Sequence, residues 1–303
     1  MNNKTNIDWL DRNEYPFKSN FITSKAGKIH YIDEGEGEIL LFVHGNPNWS
    51  FGYRELIKHF SKTNRCIALD HIGFGLSDKP YEASYLPQFH AENLETLIDT
   101  LKLQDITLVL HDWGGPIGIS YAENNPDNVK RIIVFNSWFW SVQEDRTLRN
   151  FSKFMGSALG RNLCKYFNFF PKVLMKLDLG DKKKNYSKAI HKHYIEPFSH
   201  VSMRKGTWVF PRSFLAEDHW LRSLWDNRDR IRKLPVLLLW GLKDKAFPEP
   251  FLSRWATVFP NNKIVKFDYS GHNVPEEIGK DSLKYVQDFL AINYNDPYKK
   301  RPQ

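Results

Sequence analysis

Apolar and polar positions along the chain alternate between two patterns. Short continuous apolar runs, Ile39–Val43 and residues 106–110, 129–135 and 235–240, have the length and density of strands buried on both faces. Residues 21–23, 28–32, 65–69 and 263–267 read as further strands, the first two joined by a turn at Gly27. Between these runs lie segments with helical spacing. Leu94, Leu97, Ile98 and Leu101 recur at i, i+3, i+4 and i+7, and Leu283, Val286 and Leu290 share one face of a helix expected over residues 282–292. Helices are also expected over residues 51–60, 116–123 and 250–258. Buried strands alternating with helices predict an α/β fold with a mostly parallel, doubly wound sheet.

The alternation stops at Asn136. About ninety residues follow without it, rich in aromatics such as Trp138, Trp140, Phe151, Phe170, Trp208 and Phe214. They read as a helical cap inserted over the end of the sheet. The expected division is a core of residues 1–135 and 226–303 and a cap of residues 136–225.

The 303 residues are 41% hydrophobic and 15% aromatic, enough for a large core. Cys66 and Cys164 stand far apart and suggest neither a disulfide framework nor a metal cluster. No apolar run approaches the ~18 residues of a membrane helix, and the polar start shows no secretory signal. A cytoplasmic protein, monomer or homodimer, with no membrane or nucleic-acid partner, is the expectation. Part of the net charge of +8 sits in Lys182, Lys183, Lys184, Lys188 and Lys192, and part in the tail at Lys299, Lys300 and Arg301. These read as a solvated face and a frayed end.

In such sheets ligands bind beyond the carboxyl ends of the strands. Four expected strand ends carry polar residues: His44-Gly45-Asn46-Pro47, His111-Asp112-Trp113-Gly114-Gly115, Gly241-Leu242-Lys243-Asp244 and Ser270-Gly271-His272-Asn273. Asp112, between an apolar strand and a helix opened by two glycines, sits where a nucleophile elbow would place its reactive side chain. Leu110 stands where the usual elbow has glycine, and the apex is a carboxylate. The order Asp112, Asp244, His272 is that of nucleophile, acid and histidine in α/β-hydrolases. The Gly-x-Gly at Gly73 and Gly75 lacks the third glycine of a dinucleotide loop and reads as a tight turn.

A carboxylate is nucleophilic at neutral pH without a base. It can displace a leaving group from carbon and form an ester. His272 is then free to activate water against that ester, with Asp244 orienting the imidazole. Backbone N–H groups of Asn46 and Trp113 would form the oxyanion hole. The Trp113 indole and the Asn46 side-chain amide are neutral donors suited to a halide.

These motifs resemble those of the haloalkane dehalogenases of the α/β-hydrolase superfamily. The resemblance spans almost the whole chain, including residues 70–80 and the cap. It implies hydrolysis of a small halogenated alkane to alcohol and halide, without a cofactor or metal. Matched motif by motif, it makes Asp112 the nucleophile, His272 the base, Asp244 the acid, and Asn46 and Trp113 the halide donors. One branch of the family has a Glu acid at the place of Asn136, and another uses a cap Trp in place of Asn, which keeps Trp138 as a candidate. Epoxide hydrolases share the elbow but use two cap tyrosines, for which Tyr166, Tyr186 and Tyr194 are candidates. Fluoroacetate dehalogenases have Arg where Trp113 stands. A non-catalytic homologue would lack part of the triad.

Overall fold

The computed structural model describes residues 7–181 and 186–292. Lys182, Lys183, Lys184, Lys299, Lys300 and Arg301 lie outside the described residues, whereas Lys188 and Lys192 are exposed.

Eight strands form one sheet: β1 (Asn20–Ser24), β2 (Gly27–Glu34), β3 (Ile39–Val43), β4 (Arg65–Leu69), β5 (Ile106–Asp112), β6 (Val129–Ser137), β7 (Val236–Gly241) and β8 (Asn262–Phe267). Their spatial order is β1-β2-β4-β3-β5-β6-β7-β8. The pairs β1–β2 and β2–β4 are antiparallel, and the rest are parallel. Every expected strand is present, and the antiparallel edge is the hairpin turned at Gly27.

Helices cover both faces. Leu41, Val43, Leu108 and Leu110 point into one apolar cluster, and Leu40, Phe42 and Val109 into the other. Opposite-facing neighbours both need apolar side chains, which is why these strands are continuous runs. In the core lie α1 (Arg54–Phe60), α2 (Pro87–Leu101) and α3 (Gly114–Asn124). Between β6 and β7 the described residues contain helices and no strand: α4 (Arg146–Gly156), α5 (Ala158–Phe167), a π-helical stretch over Phe170–Leu174 continued by α6 (Met175–Leu177), α7 (Lys188–Ile195), α8 (Gly206–Ala216) and α9 (Asp218–Asn227). This is the helical cap. Residues 136 and 225, its expected limits, fall inside β6 and α9.

The core closes with α10 (Glu249–Val258) and α11 (Val274–Leu290). α11 begins eight residues before the expected 282 and ends before Ile292. Its first turns contain Pro275 and Gly279, which read locally as breakers. A proline in the first turn loses no helical hydrogen bond, because the N–H it lacks would have been unpaired there. Both Gly73 and Gly75 have positive φ, as a tight turn requires.

Candidate active site

β5 ends at Asp112, which adopts φ 50°. A positive φ is rare outside glycine and marks strain held in place by its surroundings. α3 starts two residues later. A Cβ on Gly114 would lie 2.0 Å from the carbonyl oxygen of Val43, so the approach of this turn to β3 needs glycine. The expected elbow is present without glycine at position 110, because Leu110 points into the core beside Gly118.

The turn aims the Asp112 carboxylate at the loop after β3. The backbone N–H of Asn46 donates to Asp112 Oδ2 at 2.8 Å, and that of Trp113 donates to the same carboxylate. Among the described residues no side chain donates to Oδ1, which faces the cavity and is left for chemistry. Burial raises the pKa of Asp112 to about 6, against the opposing effects of His272 and the two backbone donors.

Asp244 follows β7 and His272 follows β8. His272 Nδ1 lies 2.9 Å from Asp244 Oδ2. Asp244 Oδ1 accepts from the N–H groups of Ala246 at 2.7 Å and Phe247 at 3.1 Å. Burial works against the charged form of Asp244, but the His272 charge and these donors outweigh it and lower its pKa. Burial also works against an imidazolium at His272. The charge and hydrogen bond of Asp244, followed by the charges of Asp112 and Asp178, prevail and raise its pKa to about 10. The surrounding carboxylates thus favour the protonated imidazole in the resting site.

Four contributors were not found by reading the sequence. Asn136 stands where a Glu acid was weighed, and it clasps the acid loop instead. Its Nδ2 donates to Asp244 Oδ2 at 2.8 Å and to the Gly241 carbonyl at 3.0 Å, and its Oδ1 accepts from Gly241 N–H at 2.7 Å. Asn136→Ala is expected to cost on the order of 2–3 kcal/mol, because buried partners lose their bonds. An unchanged urea midpoint would contradict this. His111 donates from Nε2 to the His272 carbonyl at 2.8 Å, and burial lowers its pKa to about 3, so it is neutral. Asp178, just past α6, is a third carboxylate acting on the imidazole, and its own pKa is raised by burial. Glu277 on α11 accepts from Gly271 N–H at 3.0 Å and from Gly180 N–H at 2.8 Å. Only the local motif of each was legible in the sequence; their partners lie far away along the chain.

The segment 178–181 straps the cap to the histidine loop. His272 N–H donates to the Asp178 carbonyl at 2.8 Å, and Asp181 N–H donates to the Tyr269 carbonyl at 2.8 Å. With the Gly180–Glu277 bond, these three contacts join cap and core beside the imidazole.

A cavity of about 250 Å³ opens above Asp112. Asn46, Trp113, His272 and Asp178 line it, with an apolar roof of Leu148, Phe151, Phe170 and Leu174. Among the described residues the Trp113 indole N–H has no hydrogen-bond partner. The Asn46 side chain makes one long contact, Nδ2 to the Thr207 carbonyl at 3.5 Å, which leaves a second amide hydrogen available. Four of the five expected site residues, Asn46, Asp112, Trp113 and His272, line this one cavity, and Asp244 reaches it only through its contact with His272.

The other candidates do not reach it. Trp138 is fully buried behind the wall, 4.7 Å centroid to centroid from Trp113, Phe214 and Phe247. Tyr166 is exposed, the Tyr194 hydroxyl donates to Glu276 at 2.5 Å, and that of Tyr186 lies 3.3 Å from His191 Nδ1. None of these four lines the cavity, so the tyrosine pair of the epoxide reading is not assembled there.

The family model for the α/β-hydrolase fold matches residues 38–277. A cis-3-alkyl-4-alkyloxetan-2-one decarboxylase of Shewanella oneidensis is 33% identical over 291 residues, covering 91% of this chain and 89% of the relative. Haloalkane dehalogenase 2 of Mycobacterium tuberculosis is 33% identical over 265 residues, covering 87% and 91%. A variant of the haloalkane dehalogenase DatA from Agrobacterium tumefaciens superposes with a TM-score of 0.81 at 24% identity, over 91% of this chain and 97% of that one, a likeness of fold. The chain belongs to the α/β-hydrolase family and is similar over most of its length to haloalkane dehalogenases and to an oxetanone decarboxylase.

Proposed function

We propose that the protein hydrolyses the carbon–halogen bond of small haloalkanes through an ester on Asp112. The observation that carries this reading is the meeting of three groups at one apolar cavity: the free Oδ1 of Asp112, the unpartnered Trp113 indole N–H and the Asn46 amide. Oδ1 attacks the halogen-bearing carbon, the carbon–halogen bond breaks, and the electron pair leaves with the halide. Trp113 and Asn46 stabilise that anion in a dry site, where neutral donors are most effective.

Alkylation removes the Asp112 charge. His272 then loses one of the carboxylates that favour its protonated form, and it moves toward the neutral base needed for the second step. Its Nε2 takes a proton from water, and the water oxygen adds to the ester carbonyl. The Asn46 and Trp113 N–H groups hold the resulting oxyanion. Collapse releases the alcohol and restores Asp112, with one net proton passing to solvent.

Halide release from 1-bromobutane or 1,2-dibromoethane tests the reading, with styrene oxide as the epoxide control. Turnover of styrene oxide without halide release would overturn it. Asn46→Ala is expected to slow carbon–halogen cleavage by about 10²-fold, the scale of a lost oxyanion-type donor. Stopped-flow quenching of tryptophan fluorescence by halide should weaken in parallel. Unchanged kinetics would move the leaving-group site elsewhere.

The pH dependence follows from Asp112. Only its ionised form attacks, and burial holds its pKa at about 6. The expected kcat/KM is therefore flat above that value and falls about tenfold per pH unit below it. An acid limb near pH 4, the ordinary carboxylate range, would show that burial does not act as described.

The Shewanella relative supports a second reading, opening of an oxetan-2-one with loss of carbon dioxide. A cavity of 250 Å³ lies below the ~300 Å³ at the lower end of ligand pockets, which favours a compact alkyl halide over a ring with two alkyl arms. Carbon dioxide release from a cis-3,4-dialkyl oxetan-2-one, without halide release from the bromides, would decide for the decarboxylase.

A further inference from the structure

The cavity roof has a second side. Among the described residues, ten large apolar side chains are exposed, and six of them, Phe154, Leu159, Tyr166, Phe167, Val173 and Leu177, belong to one short stretch of the cap. Leu159 is 61% and Phe167 67% exposed. Scattered exposed apolar residues are ordinary, but a cluster of this kind marks a contact surface.

These residues share an outer face. α4 buries Leu148, Ser152 and Met155, and α5 buries Gly160 and Cys164. Both helices contact α8, and the Ser152 hydroxyl donates to the Arg212 carbonyl on α8 at 2.9 Å. Phe170 and Leu174 point into the cavity, while Val173 and Leu177 point out. α4 and the 170–177 stretch thus roof the cavity with one side and meet solvent with the other, and α5 beside them packs on α8 and exposes Leu159, Tyr166 and Phe167.

The charge on this face has one sign. From residue 146 to residue 177 the chain has seven basic residues and no Asp or Glu. Among them Lys153, Arg161 and Lys172 are exposed, and no ion pair to any of the seven occurs among the described residues. An apolar cluster framed by unpaired cations is the signature of a surface that lies on anionic lipid.

We propose that the outer face of α4, α5 and the 170–177 stretch docks peripherally on an anionic lipid bilayer, with the exposed aromatic and aliphatic tips at the headgroup boundary. Charge argues for lipid over a second copy of this chain, since two such faces would bring the exposed Lys153, Arg161 and Lys172 against the same cations of the other copy. The contact is distinct from a membrane span: among the described residues no helix is long and apolar enough to cross a membrane. It narrows the expectation of no membrane partner to the absence of a span. Substrates that partition into lipid would then meet the protein on the side that covers its cavity.

Sedimentation of the full chain with phosphatidylglycerol–phosphatidylcholine vesicles, and with phosphatidylcholine alone, tests this. Binding is expected to the anionic vesicles and at least about tenfold weaker to the neutral ones. High salt should release the protein. Two variants separate the contributions: Leu159→Asp with Phe167→Asp removes the apolar tips, and Lys153→Glu with Arg161→Glu reverses the charge. Each should weaken anionic binding by about tenfold or more, with unchanged circular dichroism. Absence of binding, equal binding to both vesicles, or binding indifferent to the variants would overturn the proposal. So would a dimer in light scattering that Leu159→Asp with Phe167→Asp dissociates, because the face would then belong to a second copy.

Discussion

Replacing His272 with alanine is expected to trap the alkyl group on Asp112. The first step needs the ionised Oδ1 of Asp112 and the donors to the halide; the imidazole takes no proton in it and acts only through its charge, which favours the ionised Asp112. The second step needs a base. In the variant, one equivalent of halide should appear in a burst and turnover should then stop, with steady-state kcat falling on the order of 10⁴-fold or more. Intact-protein mass spectrometry should find the mass of one alkyl group, and proteolysis should locate it on the peptide containing Asp112. An unmodified mass in the variant, alongside a turning-over wild type, would count decisively against the ester. The same measurement separates the two steps from a single direct attack by water, which would leave no adduct on any variant.

The second large effect is expected at Gly45, a residue with no reactive group. A Cβ there would lie 2.4 Å from Asp112 Oδ2 and 2.7 Å from its Cγ. Gly45→Ala must therefore push the carboxylate away from the N–H of Asn46 or push the β3 loop off the elbow. A displacement near 1 Å costs about 10²-fold when a reacting group must be aligned. The alkylation rate, read as the halide burst, should fall by that factor, and hydrolysis of any ester formed should slow as well, because the Asn46 N–H also serves the oxyanion. A wild-type burst in Gly45→Ala would show that the loop yields without disturbing the nucleophile.

Much of this arrangement was legible in the sequence, for identifiable reasons. The central strands lie between two apolar clusters, so nearly every position is apolar and the runs stand out. Chemistry gathers at strand ends, so Asp112, Asp244 and His272 could be found from the loop that each follows. The start of α11 was hidden because Pro275 and Gly279 are breakers inside a helix and tolerated in its opening turns. Asn136 was read for the carboxylate it lacks. Its amide clasp on Gly241 and Asp244 joins residues more than a hundred positions apart, and no local pattern encodes that. The cap aromatics looked alike in sequence, yet Trp138 backs the wall, Phe170 lines the cavity and Phe167 faces solvent. Side-chain direction within an irregular helical insertion is set by packing, and packing is what a one-dimensional pattern omits.

The strap at 178–181 gives the cap a mechanical consequence. A lid free to swing would exchange substrate by lifting, and its motion would be independent of the base. Here lifting that edge would pull on the backbone N–H of His272 itself. An opening at that edge would have to break the bond from His272 N–H to the Asp178 carbonyl, so exchange of a bulky product by that route is expected to be coupled to hydrolysis. Small molecules that slip through the existing mouth avoid that coupling. Turnover should accordingly depend on product girth more steeply than on product polarity.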